Sequence, residues 1–392
     1  MNVKFDFNTP PADNVAFMVA KKPELHFDYD EIKFESHQRA FTVAKVTQIE
    51  LLAEIQESLE NAFVEGQSYQ TWLKNLKPTL EKRGWLGATS VTNPKTCETK
   101  DIFVGARRLK TIFYTNARTA YAQSEARAGY ELPLSQYIRY VAIMDNRVRP
   151  EHAALHGKIA HRDDKFWATN YPPNGWNCRC AVEFVSKDEM DAHGWAEMSD
   201  IEKRLNFAED DWAYDTRNLV KGDEDLQNVL KNKIESLAKN ASATAALEML
   251  RKQLNAGRES WEVVKELKKA KNQKVLSLCE VPRDLGEFLG NGAKSFEMGA
   301  NELKAHLNKH KEVSAFDYAL APYFLNSDSL EVWQDETPKN PAKFLAVSKF
   351  GMWYMMSFKN LQDEKRLFFE NLIHSNSKEN LTKNKKKIWS RK

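Results

Sequence analysis

The chain has 392 residues, 42% of them hydrophobic and 29% charged, with a formal net charge of +3. This is a globular composition, which argues against a disordered or membrane-embedded polymer; near-neutrality removes any global electrostatic case for nucleic acid. The length exceeds one ordinary core, so two or three domains are expected.

In chain order, Val15 to about Trp85 predicts helix. Phe41, Val43, Ile49, Leu51, Leu52, Ile55, Leu59, Phe63 and Trp72 recur with helical spacing, and Pro and Gly are sparse. Gly84-Trp85-Leu86-Gly87 breaks this run, and Ala88 to Lys100 reads as a polar loop. Arg107 to Gly129 predicts a second long helix with Leu109, Ile112, Phe113, Ala117, Ala120 and Tyr121 on one side and Gly129 as its cap. Tyr137 to Ile143 alternates aromatic and β-branched residues and predicts a strand; Cys180 to Val185 predicts another. Leu226 to Asn272 is polar, alanine- and lysine-rich helix with thin apolar stripes, which suits a connector. From Val275 a second compact unit follows. It has a helix over Glu302 to Lys311 and strand-like runs around Lys343 to Lys349, Gly351 to Phe358 and Leu367 to Ile373. The expected class is α+β. A helical N-terminal region feeds a small loop-rich α+β unit (together residues 15–200), a helical connector follows (201–272), and a compact C-terminal α+β domain closes the chain (275–392).

Cys97, Cys178, Cys180 and Cys279 do not make a disulfide framework for a chain of this size, so a reducing cytoplasm is the default compartment. No window approaches the apolar run of a membrane span, and Met1 to Phe7 lacks a signal-peptide core, so no membrane partner is expected. The end of the chain is basic, with Lys383, Lys385, Lys386, Lys387, Arg391 and Lys392 against Glu379. Such a tail is either a solvated end or a phosphate contact.

The densest chemistry lies between Asp145 and Cys180. Asp145, His152, His156, Cys178 and Cys180 are five potential zinc ligands in a loop-rich span, and thiolate with imidazole suits structural zinc. His152 and His156 are four apart, which places both on one face of a helical turn. The competing reading is packing alone, with Asp145 capping a helix that starts near Pro150, Arg147 and Arg149 paired to carboxylates, and a turn at His156-Gly157. No set of nucleophile, base and orienter emerges from these residues.

Several of these elements resemble the phage Mu F-like head morphogenesis (minor head) family. They are Arg149-Pro150-Glu151-His152, His156-Gly157 and Tyr171-Pro172-Pro173-Asn174-Gly175-Trp176-Asn177-Cys178-Arg179-Cys180. His37 to Ala44, Gly84-Trp85 and Arg118-Thr119-Ala120-Tyr121 extend the similarity over roughly residues 15–200. The resemblance implies a minor head protein of the virion or host cytoplasm, associated with the portal and other capsid proteins. Its implied task is head assembly or the packaging and delivery of phage DNA. It carries over no catalytic role.

In the C-terminal unit, Glu302 to His310 places His306 and His310 one turn apart, with Lys309 beside them. RNA cleavage by internal transfer needs a base, an acid and a cation for the phosphorane, and two histidines with a lysine can supply all three without a metal or other cofactor. Ser375 follows the apolar run Phe368 to Ile373, where a strand end can meet phosphate. The same residues also fit a solvated helix face and an aromatic core. His306 to His310, Asp317 to Pro322, Lys349 to Tyr354 and Phe368 to Asn371 are similar to the phage-associated Barnase–EndoU–colicin–RelE-like nuclease domains. That resemblance implies an RNase toxin-like module with host RNA as substrate and an immunity protein as partner. Catalytic residues vary among such domains; the residues here are read as His306 and His310 for proton transfer, Lys309 for phosphate charge and Ser375 for a supporting contact. The alternative is a purely structural head protein whose C-terminal unit is an interaction or DNA-binding module.

Overall fold

The computed structural model describes residues 12–32, 36–217, 224–239, 241–271, 273–290, 292–310, 313–336, 342–350, 352–361 and 364–391. Met1 to Phe7, Asn272, Lys311, Gly351 and Lys392, all named above, lie outside the described residues. The architecture is α+β, in two units that meet between Leu247 and Glu248. Among the described residues no helix is long and apolar enough to cross a membrane.

Among the described residues the first unit has two large apolar centres threaded by one helix, and a small third one around Ile159, Val185 and Met190. Helices Ile49–Val64 and Tyr69–Lys82 bury Leu52, Ile55, Leu59, Trp72, Leu76 and Leu80 against Phe17, Phe41 and Trp85. The second of these helices starts where the Ser68 hydroxyl accepts the Thr71 N–H at 3.2 Å, a side-chain cap. The long helix Ala106–Glu131, about 39 Å by its rise per residue, gives Leu109, Phe113 and Ala120 to this centre. Its later turns give Ala122 and Ala126 to the second centre, around Ile138, Tyr140, Trp167 and Tyr171. Near its end Gly129 lies so close to the Phe184 ring that a Cβ there would stand 2.3 Å from it, so the close approach requires glycine.

The second centre lies on a three-stranded antiparallel sheet, Tyr137–Val141 between Ile159–His161 and Ala181–Val185. Alternation along Tyr137–Val141 turns Ile138 and Tyr140 inward, both 0% exposed. The segment read as a polar loop is instead a hairpin, Gly87–Thr92 paired with Thr99–Val104. One face meets the first centre through Val91, Ile102 and Val104 only, with Gly87, Thr89 and Lys100 between them, an apolar pattern too sparse for spacing alone to reveal.

The stretch read as a connector is two helices, Glu224–Ala238 and Ala243–Lys269, and both bury their apolar stripes. Leu230, Ile234, Leu247, Leu250, Val264 and Leu267 are each fully buried. The first helix packs on Ala12–Ala20 within the first unit. In the second, Gly257 and Trp261 lie against Phe316 within the second unit. The boundary therefore falls inside the longer helix and not at its end.

The second unit is a seven-stranded sheet in the order Lys385–Ser390, Glu331–Asp335, Lys343–Lys349, Met352–Leu361, Arg366–Ser375, Ser295–Gly299, Val275–Glu280. All neighbours are antiparallel except Arg366–Ser375 with Ser295–Gly299. One face carries Ala346, Met355 and Ile373 with Leu381. The other carries Phe369 against Phe296 and Tyr318. The basic tail is a strand at the sheet edge. Lys385, Lys387 and Arg391 pair with Asp335, Glu331 and Asp284, so much of its charge is met within the fold.

Candidate metal centre and a histidine pair

Of the five candidate ligands in the first unit, the structure brings three together. His152, Cys178 and Cys180 place their ligand atoms within 4.8 Å of one another. The His152 Nδ1 lies 3.6 Å from the Cys178 sulfur and 3.7 Å from that of Cys180. His152 stands on the short helix Pro150–Ala154, which begins with proline at a position where the missing N–H costs nothing. Cys180 immediately precedes strand Ala181–Val185, and Cys178 lies in the loop before it. His152 and Cys178 are 2% and 3% exposed.

His156 and Asp145 are not in this cluster. The helix ends at Leu155, so His156 falls past it, exposed, and its Nδ1 accepts the Ala142 N–H at 3.1 Å. His152 and His156 do not share a helix face as expected, because the helical turn is not completed. Asp145 is held by Arg179 through two bonds of 2.6 and 2.8 Å. That guanidinium, helped by the Arg147 N–H, keeps the Asp145 carboxyl well below the usual range. Nor does Asp145 cap the short helix; Arg149 occupies the cap position.

The loop that carries the cysteines is fixed by buried polar groups. Asn174, 0% exposed, donates to the Tyr140 hydroxyl at 3.2 Å and to the Asn170 carbonyl at 3.0 Å. The Cys178 N–H donates to the Gly175 carbonyl, and Asn177 adopts a left-handed φ of 59°. Arg149 donates to the Trp176 carbonyl at 2.7 Å and pairs with Glu209 at 2.8 Å. The neighbouring Cys180 thiol, with His152, pulls the Cys178 thiol well below its ordinary range, and the same contact pushes Cys180 up. A sulfur pair in which one thiolate is favoured is the electronic state that metals and electrophiles meet. Sequence reading missed Tyr140 and Asn174 as supports, although the inward register of Tyr140 follows from strand alternation.

The first unit also has a cleft of about 680 Å³ between residues 37–44, the start of the long helix and residues 211–214. Phe41, Ile112, Trp212 and Tyr214 give it apolar walls, and Lys21, Arg107 and Arg108 give it cations. Lys21 is 5% exposed, with its ammonium 4.4 Å from the centre of the Phe17 ring.

In the second unit, His306 and His310 stack with ring centres 4.3 Å apart on helix Ala300–Lys309 and its cap. The His306 Nδ1 meets the Tyr318 hydroxyl, and the Tyr318 ring packs 5.1 Å from Phe369. Tyr318 also hydrogen-bonds the Leu372 backbone, and burial pushes its hydroxyl up. Lys309 is exposed at the end of the same helix. Ser375 pairs with Trp353 at the end of its strand, two residues after Ile373. Alternation puts Ser375 on the face of Ile373 and Met355. A break in the pairing, between Ser357 with Asn371 and Phe358 with Phe369, turns Phe369, the ring that packs on the histidines' partner Tyr318, to the opposite face. Ser375 and the histidine pair are therefore on opposite faces of the sheet. Tyr318 is the partner that sequence reading did not assign a role.

Residues 53–183 match the family model described as Phage Mu protein F like protein. The chain is 42% identical over 183 residues to the putative capsid assembly protein F of Escherichia phage Mu, a stretch covering 46% of this chain and 42% of that protein. It is 40% identical over 168 residues to the Mu-like prophage FluMu F protein of Haemophilus influenzae, covering 42% and 39%. The chain thus spans less than half the length of the curated relatives it matches. No solved structure matches.

Proposed function

We propose that the protein is a head-assembly component of a phage or prophage. In this reading it is a minor head protein near the portal that acts in procapsid assembly or in packaging and delivery of DNA. Its partners are then the portal and other capsid proteins, and its place is the virion or the host cytoplasm. The observation that carries the reading is the family match over residues 53–183, which takes in the long helix, the central strand and the His152, Cys178 and Cys180 loop. Removing the coding sequence from the phage or prophage that carries it, then inducing and imaging particles, tests this. Absent or misassembled heads are expected, with rescue from a plasmid copy; normal, filled, infectious heads without the protein overturn it.

The second unit is proposed, within that reading, as a metal-independent RNase module delivered with the head, with host RNA as substrate and an immunity protein in the producing cell. The stacked His306 and His310 beside Tyr318 favour it, since two adjoining imidazoles can hold one proton and release another. Lys309 supplies phosphate charge; Ser375, on the other face, is given no role at the phosphate. Full-length protein incubated with RNA and a chelator should yield fragments ending in a 2′,3′-cyclic phosphate. His310→Ala should slow this by about 10²–10⁴-fold. If wild-type protein cuts nothing, the unit is an interaction or DNA-binding module instead.

A further inference from the structure

We propose that His152, Cys178 and Cys180 bind one zinc ion, with a fourth position left to a water molecule from the adjoining cleft. A tetrahedral ion with zinc–sulfur and zinc–nitrogen bonds of about 2.3 and 2.0–2.1 Å separates its sulfur and nitrogen ligands by about 3.6 Å. The two sulfur-to-Nδ1 distances, 3.6 and 3.7 Å, match that edge, and the two sulfurs lie within 4.8 Å of each other. The donors are chemically consistent too, because thiolates with an imidazole select zinc over hard, oxygen-seeking cations.

The surroundings favour a metal over a plain thiol pair. His152 and Cys178 are almost fully buried, so each polar atom needs a partner, and three soft donors aimed at one point share a cation better than they share protons. The loop that aims them is held from outside by Asn174, Arg149, Glu209 and the Asp145–Arg179 pair, as supports of a metal centre commonly are. Two thiolates neutralise the ion's charge, so their mutual attraction offsets the cost of burying the charges. The cleft beside the cluster holds about 20 Å³ and is lined by Ile143, Arg147, Arg149 and Arg179. That is room for a single water. Two of the five sequence candidates being committed elsewhere leaves the fourth position open, which distinguishes the site from a closed four-ligand knuckle.

Full-length protein purified without chelator should contain one zinc per chain by elemental analysis. His152→Ala, Cys178→Ser and Cys180→Ser should each lower that at least tenfold, while Cys97→Ser and Cys279→Ser leave it unchanged. Because a ligand variant can simply misfold, wild-type protein is also loaded with cobalt(II). A thiolate-to-cobalt charge-transfer band with intense visible bands is expected for tetrahedral sulfur ligation. Zinc-free wild-type protein that shows no such band overturns the proposal, as does mass spectrometry finding Cys178 and Cys180 joined as a disulfide in protein kept under reducing conditions.

Discussion

Trp167→Ala should lower the stability of the first unit by about 3–5 kcal/mol, the usual range for deleting a fully buried tryptophan. Trp167 is 0% exposed at the middle of the second apolar centre. Its ring packs edge-on to Phe166 at 4.9 Å and to Tyr171 at 6.3 Å, and its indole N–H donates to the His161 carbonyl at 3.1 Å. The substitution therefore removes apolar burial, leaves a cavity, and takes away one of the two hydrogen bonds that the His161 carbonyl accepts, the Asp164 N–H being the other. Trp167→Phe keeps most of the volume and should lose less. Urea unfolding followed by circular dichroism measures both, with the first unit's transition fitted separately because two units need not unfold together. A midpoint shift equivalent to less than about 1 kcal/mol for Trp167→Ala would show that this centre is not the one that holds the unit. Since Asn170 and Tyr171 lead directly into the cysteine loop, the same variant should also weaken zinc retention.

Lys21→Met should stabilise the protein at and below neutral pH and flatten its rise in stability toward alkaline pH. Burial lowers the Lys21 ammonium from its ordinary value to about 7. Among the described residues it has no ion-pair partner, only the face of Phe17. In the unfolded chain the same group keeps its proton to about pH 10.4. Between those two values the unfolded state binds more protons, so stability rises with pH through that window; below pH 7 both states are charged and the full cost of burial is present. At about 1.4 kcal/mol per unit the ceiling is roughly 5 kcal/mol, and relaxation around the buried charge reduces the expected gain to about 2–3 kcal/mol. Denaturant midpoints of wild type and variant at pH 6, 8 and 10 check this. Parallel curves for the two proteins would show that Lys21 stays charged and solvated. His37, lowered by burial and then by the nearby Lys21 charge, should titrate higher in the variant.

Most of the elements that local periodicity announced are present, but the helical run expected over Val15 to Trp85 is broken between Ala20 and Ile49 by loops, the short helix Ser36–Arg39 and the parallel strand pair Lys22–Pro23 with Ala40–Phe41. The helix expected over Arg107 to Gly129 spans Ala106–Glu131, and the strands expected near Tyr137 and Cys180 are Tyr137–Val141 and Ala181–Val185. In each, one face meets a core, so the apolar spacing records the geometry. The hairpin Gly87–Thr92 with Thr99–Val104 and the edge strand Lys385–Ser390 were invisible for the opposite reason. Their apolar residues are few and set among Thr, Ser, Gly and Lys, and their order comes from partners elsewhere in the chain. The thin stripes at residues 226–269 pointed to a linker, yet Leu230, Ile234, Leu250 and Val264 are fully buried. A narrow stripe is enough when the surface it meets closes over it.

By itself the sequence determined the composition of the cysteine and histidine block, the helix that threads the first unit and the alternating strands beside it. Each depends only on residue type and spacing along a few turns. The tertiary structure decided which members of the block meet. Leu155 ends the helix one residue short of His156, Arg179 takes both oxygens of Asp145, and a loop held by Asn174 brings Cys178 and Cys180 to His152. Ser375 was separated from His306 by a break in strand pairing between Asn371 and Phe369, which reverses the faces that a plain count of two would assign. Convergence of side chains from distant segments is a property of chain closure. Spacing along the chain limits it without specifying it.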